Sequence, residues 1–230
     1  MPSLVLIPGL LCDGRLWSHQ ISGLRSLAEI SVADITQQSS LEEMAAAVLA
    51  KAPEHFSLAG FSLGSQIALE IMRTAAGRVE RLALLSATHG GLLPTSAEGI
   101  RNALAPIEHG GFQQYLETVF PLYFTAQDAK DPALKQTFMD MAHTVGQEAG
   151  LRQMRALLAI QGPFTNLDHI RCPTVIIGGR EDHRTTLAAH EVLAQEIPGS
   201  RLMVIDGSAH FTTLEQPAAV TETLRIWMAP

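Results

Sequence analysis

Short apolar runs alternate along this chain with longer stretches in which apolar residues recur every third or fourth position. Runs at 4–7, 30–33, 56–59, 82–86, 174–178 and 202–205 have the length and aliphatic content of buried strands. Helical spacing fills 15–27, 41–51, 63–76, 186–196 and 217–227. The second of these carries a start signal, Ser40 as N-cap with Glu43 three residues on. The last opens on Pro217, a residue tolerated in the first turn of a helix. Strands and helices in this alternation predict an α/β fold: a doubly wound, mostly parallel sheet of about six strands with helices on both faces.

One interval breaks the rhythm. From 90 to 168 no strand-like run occurs, and apolar residues keep helical spacing: Tyr115, Leu116, Val119 and Phe120, then Leu134, Phe138 and Met141, then Leu151, Met154, Leu157 and Leu158. This predicts a helical cap over the carboxyl ends of the strands, where open α/β sheets bind their ligands. The expected division is a core of 1–89 and 169–230 with a cap of 90–168.

Composition narrows the classes. At 230 residues, 47% hydrophobic and 17% charged, the chain reads as one ordinary globular domain with a sizeable core. A net charge of −7 with no long basic cluster argues against nucleic acid or an anionic membrane as main partner. No apolar run approaches the ~18 residues of a membrane span. Met1-Pro2-Ser3 lacks the basic start of a signal peptide, so a cytoplasmic protein, monomer or homodimer, is the expectation. Cys12 and Cys172 are too few for a disulfide framework and are expected as reduced thiols.

Candidate chemistry begins at Gly60-Phe61-Ser62-Leu63-Gly64, which follows an apolar run and precedes a helical stretch. Strand, G-x-S-x-G, helix is the context of a nucleophile elbow, a tight turn that lifts a serine Oγ above the top of a sheet. A serine hydroxyl needs a base to take its proton, and the base needs a third group to hold its tautomer. Gly179-Arg180-Glu181-Asp182-His183 follows one later strand and Asp206-Gly207-Ser208-Ala209-His210-Phe211 the next. Ser62, Asp182 and His210 thus fall on three loops at one rim of the sheet, in the order Ser, acid, His. Glu181 and Asp206 are the alternatives to Asp182.

With these residues in hand, the chain resembles the α/β-hydrolases over nearly its whole length. Pro8-Gly9-Leu10-Leu11-Cys12-Asp13 is similar to the family's oxyanion loop, Gly60–Gly64 to its elbow, and Gly179–Asp182 to its acid loop. Gly207–His210 with Leu214-Glu215-Gln216-Pro217 is similar to its histidine loop and following helix. The resemblance implies an oxyanion hole from the N–H groups of Leu10 and Leu63, and a lid at 90–168 that shapes substrate choice. There are departures: Ile7-Pro8-Gly9 stands where many members carry His-Gly, Ser65 stands at a position that is often glycine, and the acid loop lacks its common proline. The sheet is expected to be a trimmed one.

Other motifs weigh less. His89-Gly90-Gly91 has the letters of an oxyanion motif but follows the strand after the elbow, so it is read as the hinge into the cap, with His89 a candidate pocket residue. His190-Glu191 opens an H-E-x-x-H pattern that Ala194 breaks, so no metal is expected. No glycine-rich dinucleotide or phosphate loop occurs, so no cofactor is expected. Cys12 is read as packing. The expected substrate-binding residues are His89, Phe120, Phe124 and Met154, with Phe112, Tyr115 and Tyr123 further aromatic candidates for an acyl or aromatic group.

The leading expectation is a serine hydrolase acting on a small carboxylic ester, lactone or thioester through an acyl-enzyme on Ser62. Carbon–carbon bond hydrolysis and cofactor-free haloperoxidase or lyase chemistry are the alternatives within enzymes. A small-molecule receptor of the same fold is the alternative outside them.

Overall fold

A computed structural model describes residues 1–160, 162 and 164–229. Its strands β1 (Ser3–Ile7), β2 (Glu29–Val32), β3 (Phe56–Phe61), β4 (Val79–Leu85), β5 (Thr174–Gly179) and β6 (Arg201–Ile205) each overlap a run expected from the sequence. They form one sheet in the order β2-β1-β3-β4-β5-β6, with every neighbouring pair parallel. β3 and β5 are buried at every position, as strands covered on both faces must be. The edge strand β2 leaves alternate residues exposed.

The helices around the sheet are α1 (Ser18–Leu24), α2 (Leu41–Lys51), α3 (Leu63–Ala75), α4 (Pro94–Pro106), α5 (Phe112–Val119), α6 (Pro132–Val145), α7 (Gln147–Ala159), α8 (Leu187–Glu196), α9 (Thr212–Glu215) and α10 (Pro217–Met228). Parallel strands need right-handed crossovers, and the direction of each step decides which face its helix covers. The step from β1 to β2 runs one way along the sheet, and those to β3, β4 and β6 run the other. This sets α1 on the face opposite α2, α3 and α8. Accordingly α1 packs with α10, and α2 with α3. The reversal falls between β1 and β3, so their carboxyl ends flank the crevice where such sheets take a ligand.

Local signals explain several boundaries. Ser40 Oγ accepts the Glu43 N–H while the Glu43 carboxylate accepts that of Ser39, closing both ends of the α2 cap. The helix expected at 15–27 instead starts as a 3-10 turn, Gly14–Trp17, because the Asp13 side chain caps it by accepting the Arg15 N–H. Asp131 caps α6 in the same manner, with Pro132 in the first turn.

Helices α4 to α7 occupy the interval between β4 and β5, and among the described residues this interval contains no strand. A wide turn at Ile107–Gly111 joins α4 to α5. Aromatic packing binds the interval to the body: the Phe124 ring stacks on Phe211 with centroids 4.9 Å apart, and Phe138 stands edge-on to Phe211 at 5.7 Å. Among the described residues no helix is long and apolar enough to cross a membrane.

Candidate active site

A single residue separates β3 from α3. That residue, Ser62, has φ 53° and ψ −111°, a backbone conformation non-glycine residues seldom adopt. The turn is that tight because α3 leaves directly against β1. A Cβ on Gly60 would run into the Gly64 carbonyl, and one on Gly64 into the carbonyls of Ile7 and Pro8. Ser65, a departure from the family pattern, ties the turn down: its hydroxyl donates to the carbonyls of Gly60 at 2.6 Å and Leu85 at 3.0 Å.

Two further loops meet Ser62. His210 Nε2 lies 3.1 Å from Ser62 Oγ, and its Nδ1 lies 2.8 Å from Asp182 Oδ2. Because Asp182 can only accept there, Nδ1 carries the proton and Nε2 is free to accept from Ser62. Of the three acids the sequence offers at this point, Asp182 is the one at the imidazole. Glu181 is exposed, and Asp206 pairs with Arg180 at the surface.

Asp182 is tightly held. Its Oδ1 accepts the N–H groups of Arg184 at 2.7 Å and Thr185 at 2.9 Å, and its Oδ2 also accepts the Thr185 hydroxyl. Burial would raise its pKa, but the electrostatic pull of the adjoining imidazole and the hydrogen bonds from His210 and Thr185 outweigh it and bring the carboxyl down to about 2. The group is therefore an anion throughout the neutral range.

His210 is anchored through its backbone as well. Its N–H donates to the Tyr123 carbonyl at 3.0 Å, and its carbonyl accepts the Ser86 hydroxyl at 2.7 Å. One turn further on, buried Glu215 accepts the N–H groups of Thr125 at 2.8 Å and Ala209 at 2.9 Å and the Ser208 hydroxyl at 3.2 Å. Burial, with a smaller contribution from Asp128, raises the Glu215 carboxyl to about 7 against the pull of these donors.

The loop after β1 forms the other wall. Leu11 has φ 57°, and its N–H donates to Gln153 Oε1 at 2.9 Å. The fully buried Gln153 comes from α7 and also donates to the Ile35 carbonyl at 3.3 Å. The Leu11 N–H is thereby taken, and its neighbour Leu10 lines the cavity. Leu63 begins α3, so its N–H has no partner inside the helix.

Ser62, His210, Leu10 and Leu63 all line a narrow cavity of about 70 Å³ that opens to solvent. Its other walls are mainly apolar, with Tyr123 and Arg184 at the side of the acid loop. The residues expected to bind substrate fall elsewhere. Phe120, Phe124 and Met154 are buried in the packing between α5, α6, α7 and the body, and His89 borders a neighbouring cavity. Helical spacing identifies the apolar face of a helix, but not which apolar residue on that face meets a cavity rather than a neighbour. Tyr115 and Tyr123 do line the cavity, whereas Phe112 does not.

Two other groups are structural. His190 Nε2 accepts the Ala87 N–H at 3.1 Å, and burial lowers its pKa to about 4, so it is a neutral imidazole packed against Gly178. Burial and the nearby Asp13 charge push the Cys12 thiol well above its ordinary value. It stays protonated and donates weakly to the Leu10 carbonyl.

Sequence reading passed over Arg184, Thr185 and Gln153. Arg184 and Thr185 had a signal in standing two and three places from the candidate acid. Gln153 had one too, as a polar residue between Leu151 and Met154 on an apolar helix face.

The model of the Alpha/beta hydrolase family matches residues 4–223. "Putative carbamate hydrolase RutD" of Escherichia coli is 26% identical, over 94% of this chain and 87% of that protein. Among solved structures, a thermophilic esterase from Thermogutta terrifontis superposes with a TM-score of 0.87 at 21% identity, covering 99% of this chain and 89% of that one. The enol-lactonase from Burkholderia xenovorans LB400 gives a TM-score of 0.88, also at 21% identity, covering 99% and 91%.

Proposed function

This chain belongs to the alpha/beta hydrolase family, and from that premise we propose that it is a serine hydrolase cleaving a small carboxylic ester, lactone or thioester. The observation that carries the reading is the unbroken series Ser62 Oγ, His210, Asp182, with contacts of 3.1 and 2.8 Å at the mouth of a cavity. The names borne by similar proteins, esterase, enol-lactonase and carbamate hydrolase, agree with hydrolysis at an acyl carbon.

In this mechanism His210 Nε2 takes the Ser62 proton as Oγ attacks the carbonyl carbon. The tetrahedral oxyanion is held by the N–H groups of Leu10 and Leu63, the latter at the positive end of α3. His210 then passes its proton to the leaving oxygen or sulfur, the bond to it breaks, and an acyl-enzyme on Ser62 remains. Water, deprotonated by the same imidazole, releases the acid and restores the serine. Asp182 keeps the proton on Nδ1 and balances the imidazolium that forms in each half-reaction.

Labelling with a fluorophosphonate probe, read by intact mass, tests this. One adduct on the wild type and none on Ser62→Ala is the expected result. A well-folded wild type that takes up no adduct and turns over no p-nitrophenyl ester would overturn the reading and favour a receptor of this fold.

A further inference from the structure

Arg184 stands out among the residues around the Ser62 cavity. Of the described residues lining it, Arg184 is the one with a permanent charge, and the surrounding wall is mainly apolar. It takes part in none of the ion pairs found among the described residues. Its guanidinium instead lies over the Tyr123 ring, with Cζ 5.0 Å from the centroid, a cation–π contact that uses the ring face rather than the N–H donors. The main chain beneath it is fixed, because the Arg184 N–H donates to Asp182. Arg184 is thus half-buried with its main chain fixed, and among the described residues it pairs with no acid.

An arginine so placed is suited to a carboxylate, whose two oxygens match its paired donors. The overall charge of −7 works against anions in general, so any attraction for one has to be local. The reacting centre is one aromatic ring away: the Tyr123 centroid lies 5.3 Å from that of His210 and 5.0 Å from Arg184 Cζ. Ser62 and Arg184 line the same cavity, so a substrate with its scissile carbonyl at Ser62 can extend its acyl chain toward the guanidinium.

We infer that Arg184 is a specificity-determining residue that anchors a carboxylate on the acyl part of the substrate, making the preferred substrates half-esters, half-thioesters or lactones of short dicarboxylic acids. This rests on the serine-hydrolase reading above and names the substrate class of that same site. Arg184 also borders the adjoining groove along α4 and α5, together with Ile100, Tyr115 and Val119. The anion is thus held at the junction of cavity and groove, and the neutral part of the acyl chain lies against apolar walls.

The test is a ratio. The wild type, Arg184→Gln and Arg184→Lys are assayed on mono(p-nitrophenyl) glutarate and on its uncharged counterpart, p-nitrophenyl pentanoate, with Ser62→Ala as blank. A charge-assisted pair is worth about 1.5–3 kcal/mol, so the wild type should prefer the anionic ester by about 10- to 100-fold in kcat/KM. Arg184→Gln should bring the ratio to about one, and Arg184→Lys should keep part of it. Raising the salt concentration should lower the wild-type ratio and leave that of Arg184→Gln unchanged. Since each ratio is taken within one protein, a general loss of fold or activity cancels. Ser62-dependent turnover of both esters with no preference in the wild type, or with one that survives in Arg184→Gln, overturns the Arg184 assignment and leaves the hydrolase reading standing. Absence of any Ser62-dependent turnover or labelling overturns both.

Discussion

The side-chain oxygen of Gln153 accepts the backbone N–H of Leu11 at 2.9 Å, across 142 positions of sequence. Helix α7 therefore holds the loop after β1 by a buried hydrogen bond, at a residue whose φ is 57°. If Leu10 supplies an oxyanion donor, Gln153 is a positioning residue for it. Gln153→Met keeps the bulk and removes the acceptor. We expect kcat to fall about 10- to 100-fold with KM changed by less than about threefold, since a misaligned donor weakens the transition state more than the bound ester. Steady-state kinetics on a p-nitrophenyl ester checks this. A rise in KM with kcat intact would show that Gln153 serves binding alone.

Asp182 gives a sharper expectation. Asp182→Asn preserves size but presents an amide to His210, which allows the ring to place its proton on Nε2, the atom that accepts from Ser62 in the proposed mechanism. Substitution of this kind costs about 10⁴ in kcat at a serine–histidine–acid site. The fold should survive, as Asn can still accept the Arg184 and Thr185 N–H groups at Oδ1. Measured kcat within tenfold of wild type would exclude Asp182 from the mechanism.

Glu215 predicts a pH dependence of stability. Its carboxyl is raised from the ordinary 4.5 to about 7, so between these values the folded chain holds a proton the unfolded chain has lost. The folded state binding more protons means that stability falls as pH rises through this window. The contribution is intact below pH 4.5 and gone above about 7. Glu215→Gln removes it. A plot of Tm against pH should therefore slope downward across the window in the wild type relative to Glu215→Gln, with the two curves parallel above it. Curves parallel throughout would show that the carboxyl does not titrate there.

Much of this architecture is legible in the sequence because it rests on local physics. The six strands centre on short runs rich in aliphatic residues, and the glycines of the elbow sit where α3 leaves no room for a Cβ. Ser62, Asp182 and His210 could be grouped because each follows a strand, and parallel strands end on one rim. What escaped depends on contacts between distant segments. Gln153 acts on Leu11, Glu215 on Thr125, and Tyr123 on both His210 and Arg184, and no periodicity in one segment reports its partner in another. The aromatic residues between β4 and β5 illustrate the same limit: Phe124 and Tyr123 are neighbours with similar rings, yet one stacks on Phe211 in the interior and the other faces the cavity.

The segment around Tyr123 is fastened to the histidine loop twice, by the His210 N–H on the Tyr123 carbonyl and by Glu215 bridging Thr125 and Ala209. This works as an interlock. Any displacement of 123–125 would cost the hydrogen bond that seats His210 and the Glu215 bridge that braces its loop, so the shape of the cavity wall and the seating of the imidazole are one property of the chain.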